Sequence, residues 1–96
     1  MNELYPIGSL VMVNNIPTPV MVMGYLPIVS GRLYDYIGVP YPTGFISSKS
    51  TMVFDHKLVE KLVAKGYEDE DCDAFLQAIP RFVSGVVATK VAQEGE

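Results

Sequence analysis

Six of the seven prolines lie before residue 43, at positions 6, 17, 19, 27, 40 and 42. Proline locks its own φ, lacks an N–H to donate and pushes the residue before it into extended backbone. Long helices are therefore excluded from the first half of the chain. Between the prolines sit short runs rich in β-branched and aromatic residues, at 9–13, 20–26, 32–39 and 51–54, and these read as strands. "NNIPTP" and Ser30-Gly31 read as the first two connections, and Tyr41-Pro42-Thr43-Gly44 has the signature of a β-turn.

The first two strands do not alternate polar with apolar. Leu10 and Met12 face one way and Val11 and Val13 the other; Met21 and Met23 oppose Val20 and Val22 in the same manner. A strand apolar on both faces is expected to be buried on both. In so short a chain, a barrel-like curl under a covering helix does this, or a partner does.

The pattern changes after Phe54. "DHKLVEKLVAKGY" spaces Leu58, Val59, Leu62 and Val63 as a helix does, with Asp55 and Gly66 placed as its caps. Its β-branched content equally fits a short turn followed by a strand. Next, Cys72, Phe75, Leu76 and Ile79 fall at i, i+3, i+4 and i+7 of an amphipathic helix whose first turn is crowded with acids. The chain thus reads as α+β: a small curled antiparallel sheet of four to five strands, barrel-like, followed by one or two C-terminal helices. Residues 1–79 form the domain. Residues 80–96 are an extension, helical or partly disordered, beyond Pro80.

Charge is distributed unevenly. Residues 1–54 carry only Glu3, Asp35, Arg32 and Lys49, while the remainder holds nine acids against five bases, for a total of −4. The acidic balance and the lack of a Lys/Arg cluster argue against nucleic acid. The charge-poor half leaves apolar residues on its surface, as contact sites do. Methionines 12, 21, 23 and 52 are side chains that adapt to an irregular apolar partner. Cys72 stands alone, so no internal disulfide is expected. The N-terminus has no basic region before its apolar run, and Ile7–Val29 is too broken by proline and glycine to span a membrane. A cytoplasmic protein is the expectation.

Motifs for chemistry are sparse. Asp55-His56 is the one candidate acid–base pair, but the sole histidine has no nucleophile motif near it. Cys72 sits on an apolar stripe among carboxylates, which raise a thiol pKa rather than lower it. The acids from Glu68 to Asp73 lack the alternation and central glycine of a calcium loop and read as a solvated helix start. Gly38 and Gly44 read as strand-end and turn glycines. No enzyme activity, cofactor or metal is expected. "YDYIGVPYPTGF" remains: Tyr34 and Tyr36 on one strand face, Tyr41 and Phe45 at the turn. Tyrosine adds apolar area with a polar tip, so Tyr34, Tyr36, Tyr41 and Phe45 are the candidate partner-binding residues; the alternative is that the tyrosines pack under a C-terminal helix as half-buried core.

"PIGSLVMVNN", "PVMVMGYLP", "YDYIGVPYPTGF" and "FDHKLVEKLVAKGYEDE", in this order and spacing, resemble a small family of unknown-function proteins from Gram-positive bacteria. That family is encoded beside LXG toxins of the type VIIb secretion system. The resemblance covers about residues 5–79 and is carried by the Tyr-Asp-Tyr-Ile-Gly stretch, the Tyr-Pro-x-Gly-Phe turn, Phe-x-His at 54–56 and Gly66-Tyr67. It implies a cytoplasmic accessory of toxin export: a chaperone or targeting factor that binds an LXG-type toxin or its partner, with no enzyme activity and no cofactor. An immunity protein that blocks its cognate toxin through the Glu68–Asp73 acids is the alternative. Homo-oligomers are compatible with either.

Overall fold

The computed structural model describes residues 4–79. The chain forms two compact units, a sheet unit ending at Tyr67 and a second beginning at Glu68. The predicted extension from residue 80 lies outside the described residues.

The sheet unit contains β1 (Leu10–Val13), β2 (Val20–Tyr25), β3 (Ile28–Val29), β4 (Arg32–Leu33), β5 (Tyr36–Pro40), β6 (Met52–Phe54) and β7 (Val59–Ala64). Five of these make one antiparallel sheet in the order β6-β5-β2-β1-β7, and β3 pairs only with β4. Ser30 and Gly31 join that small hairpin with φ of +52° and +79°. Positive φ at both central residues marks the turn whose twist matches a two-residue hairpin.

The expected strand 32–39 is broken in two: the chain bends at Tyr34-Asp35, so β4 and β5 belong to different sheets. Of the two readings of 57–65, turn plus strand is the one formed. His56–Leu58 is a single 3-10 turn, and β7 follows it directly. Asp55 precedes that turn without a side-chain cap bond, and Gly66 ends a strand rather than a helix.

The sheet is curled but not closed into the expected barrel. β6 and β7 are consecutive in sequence yet lie at opposite edges. Four strand spacings separate the edges, about 19 Å if the sheet were flat. The five steps from Phe54 to Val59 reach at most about 17 Å fully extended, and the 3-10 turn shortens them. The connection therefore requires curvature. β6, only three residues long, pairs with β5 and not with β7, so closure stops short.

Side-chain alternation sorts the two faces. Val11, Val13, Val20, Val22, Tyr36 and Phe54 face inward and are buried. Each such valine contributes about 1.5–3 kcal/mol by leaving water. Register keeps the set together, with Val11 opposite Val20, Tyr25 opposite Tyr36, and Tyr36 opposite Phe54. Gly38 lets β5 approach β2 here, because a Cβ would come within 2.6 Å of the Met21 carbonyl oxygen. Burial of the strands on both faces is not what forms. Met21 and Met23 on the outer face are 37% and 44% exposed.

The second unit contributes a helix over residues 70–79. Asp69 caps it: its Oδ1 accepts the Cys72 N–H at 2.9 Å, as an N-cap side chain does for the third helical residue. Leu76 and Ile79 are buried, Cys72 is half-buried and Phe75 is exposed. One helix, not two, lies within the described residues.

Candidate functional site

The strand pattern leaves the outer face of the sheet apolar and open, with Met21 and Met23 exposed on it. Leu10 pairs with Met21, Met21 with Val39, and Ile37 with Val53, so one apolar row runs across four strands. Leu10, Met12, Ile37 and Val53 are half-buried, and Met21 and Met23 are exposed. Lys61, in register with Met12, edges this row. Where β5 ends, the turn through Tyr41, Pro42 and Gly44 overhangs Met21 and Val39 and encloses a shallow apolar pocket of about 160 Å³. The Tyr41–Pro42 peptide is cis, and the Gly44 N–H donates to the Pro40 carbonyl at 2.7 Å. Beyond it Phe45 and Ile46 are 61% and 74% exposed. Methionine's flexible thioether suits a surface that must fit a variable apolar partner.

The four candidate residues do not form one surface. Tyr41 lines the pocket beside Met21, and Phe45 follows Gly44 of the same turn and is exposed. Tyr34 stands apart and half-buried, with the Arg32 guanidinium 4.4 Å above its ring. Tyr36 is fully buried and is part of the core. The bend at Tyr34-Asp35 undoes the face the two tyrosines share in a continuous strand. The alternation Val-Met-Val-Met in β2 signals the open face in the sequence itself. A packed face favours stiff β-branched side chains, and methionine takes the other.

Tyr36 instead centres a polar cluster at the inner end of the sheet. Its hydroxyl accepts the Tyr5 N–H at 2.9 Å and lies 2.6 Å from His56 Nδ1. Burial drives the Tyr36 phenol above its ordinary range, and the neighbouring acid Asp35 pushes the same way. The phenol O–H is therefore retained, and one hydrogen bond joins the hydroxyl to Nδ1. Tyr25 donates its hydroxyl to the Tyr5 carbonyl, and the Tyr5 ring rests 5.0 Å from the His56 ring. The His56 N–H donates to Asp35 Oδ2 at 2.8 Å.

Asp55 and His56 do not face each other as an acid–base pair. Asp55 takes the Arg32 guanidinium at 2.6 Å, while His56 turns to Tyr36. Cys72 has its thiol pKa raised, by burial first and then by Asp73, Glu68 and Asp69. Among the described residues, no three His, Cys, Asp or Glu side chains converge as a metal site requires. Nor is any helix among them long and apolar enough to cross a membrane.

Compared with known families, residues 4–75 match the one described as Domain of unknown function (DUF4176). No curated protein and no solved structure matches the chain.

Proposed function

The chain belongs to the DUF4176 family, whose description names no activity, and from that premise we propose that it is a non-enzymatic protein-binding module. Its place is that of a cytoplasmic chaperone or targeting factor of type VIIb secretion, holding an LXG-type toxin or that toxin's partner. The observation that carries this reading is the open apolar face: Met21, Met23, Tyr41, Phe45 and Ile46 are each more than a third exposed. Apolar surface concentrated in one region of a small monomer marks a contact site. The assignment to secretion rests on the sequence resemblance.

Mechanistically, the methionine row and the Tyr41–Phe45 turn shield an apolar segment of the client until export. Co-expression with the neighbouring toxin tests this. A stable complex is expected, and Met21→Asp with Met23→Asp weakens it at least about tenfold, since each charge must be desolvated against an apolar partner. The double variant keeps the wild-type circular dichroism spectrum, because both side chains face outward. A complex indifferent to both substitutions removes the outer face from the interface. Deleting the gene separates the two roles: a chaperone's loss stops toxin export, whereas loss of an immunity protein leaves export intact and poisons the producer.

A further inference from the structure

Charge divides between the two units of the chain. Residues 4–67 hold five bases and three acids, whereas residues 68–79 hold five acids and no base. In the sheet unit each acid already has a partner. Asp35 accepts the His56 N–H, and Asp55 takes the Arg32 guanidinium. Glu60, at the register shift beside Lys61, accepts the Asn14 amide at 3.4 Å. Lys61 is exposed and has no ion pair among the described residues. It lies at the β7 edge of the outer face, in register with Met12. Lys49, exposed and unpaired in the same sense, sits in the 3-10 turn Ser48–Ser50 that leads into β6, the opposite edge. The open apolar face thus has a lysine at either edge, and no acid of the sheet unit is left over for them.

We infer that the partner seated on this face is an apolar protein segment flanked by carboxylates, with one apolar side chain in the Tyr41–Gly44 pocket and an acid on Lys61. The inference rests on the outer face being the client site and adds the chemistry of what that site takes. The pocket holds about 160 Å³, and an apolar cavity of that scale accepts one benzene-sized group. Met21 and Val39 place it on β2 and β5, while Lys61 is on β7. Three strand spacings separate β5 from β7, about 14 Å along the sheet. An extended segment covers that distance in about four residues, which sets the separation of anchor and acid. An anionic bilayer also pairs lysine with apolar side chains. A surface that wide meets the whole chain, with its net charge of −4, whereas a single segment meets only this face.

Charge reversal reads the sign of the partner, with the neighbouring toxin as the probe and the full chain as the titrant. Lys49→Glu with Lys61→Glu weakens the complex by roughly 10-fold, because two attractions at the rim become two repulsions. Lys61→Gln, which removes a charge and adds none, weakens it by roughly 2-fold and provides the readout should the reversed protein fail to fold. Raising salt from about 0.05 to about 0.5 M weakens the wild-type complex and leaves that of the reversed protein unchanged or tighter. Tighter binding after reversal overturns the inference, since the partner is then basic. Binding indifferent to both lysines overturns it too; if Met21→Asp with Met23→Asp still weakens that complex, the outer face remains the client site and only the acidic partner is lost. A chain that forms no complex with the toxin removes both readings. Vesicles of phosphatidylglycerol and phosphatidylcholine are the last arm: lysine-dependent binding to them, with the toxin complex indifferent to the lysines, assigns the charges to a membrane and overturns the inference.

Discussion

Replacing Tyr36 with phenylalanine removes one oxygen and leaves the ring. The ring is fully buried, 5.2 Å from that of Phe54 and 6.1 Å from that of Tyr25, and these contacts survive. The hydroxyl loses two partners at once. The Tyr5 N–H, paired at 2.9 Å, is left against a ring edge. An unpaired buried backbone donor costs about 1–3 kcal/mol. His56 Nδ1, on a half-buried ring, loses a bond worth about 0.5–1.5 kcal/mol, part of which water restores. The sum is about 2–3 kcal/mol. For a chain of this size each kcal/mol moves the melting temperature by about 4–8 °C, so Tyr36→Phe melts about 8–24 °C below wild type. Urea unfolding followed by circular dichroism measures the free energy, and thermal melts measure the shift. A double-mutant cycle with His56→Ala adds specificity: the pair shares a bond, so their costs fail to add by at least about 0.5 kcal/mol. A loss under about 0.5 kcal/mol for Tyr36→Phe, or strictly additive costs, would refute the role given to this hydroxyl.

The same group makes stability pH-dependent at the alkaline end. Its folded pKa lies above the ordinary 10.0, so above pH 10 the unfolded chain releases a proton that the folded one keeps. Stability from Tyr36 is thus complete below pH 10 and falls above it by up to about 1.4 kcal/mol per pH unit; denaturant titrations show a shallower fall in Tyr36→Phe. Ser9→Ala costs about 1–3 kcal/mol in urea unfolding, because the buried Ser9 hydroxyl accepts the Gly66 N–H at 2.9 Å and alanine leaves that donor unpaired. Gly38→Ala costs about 1–3 kcal/mol or more by overpacking β5 against the backbone of β2, and a wild-type melting temperature would show that the strands separate freely. Arg32→Ala changes stability by less than about 1 kcal/mol despite its short bond to Asp55, since the arginine side chain is 58% exposed.

Much of the fold was legible in local chemistry. Prolines and β-branched runs placed β1, β2 and β6 to within a residue or two, and Ser30-Gly31 marked a hairpin turn. The acidic first turn and the apolar spacing from Cys72 to Ile79 marked the helix. The segment 57–65 was not decidable, because Leu58, Val59, Leu62 and Val63 satisfy helical spacing while their β-branched content favours a strand. Pairing with β1 settled it, since β7 gains a ladder of backbone bonds that an isolated helix of nine residues lacks. Surface and core were both open for Tyr36, because a tyrosine's pattern is the same whether its hydroxyl meets solvent or a buried partner. Its partners, Tyr5 and His56, lie 31 and 20 residues away.

The sequence by itself determined a strand-rich first half, an amphipathic helix with an acidic first turn and a charge-poor first half, because proline geometry, side-chain period and the helix dipole act within a few residues. Tertiary structure decided that only one of the two apolar faces of β1 and β2 is packed. Val-Met-Val-Met supplies two apolar rows, and the folded sheet buries the valine row while Met21 and Met23 stay exposed. It also decided that Tyr36 and His56 build an inner polar cluster, leaving Tyr41, Phe45, Met21 and Met23 exposed.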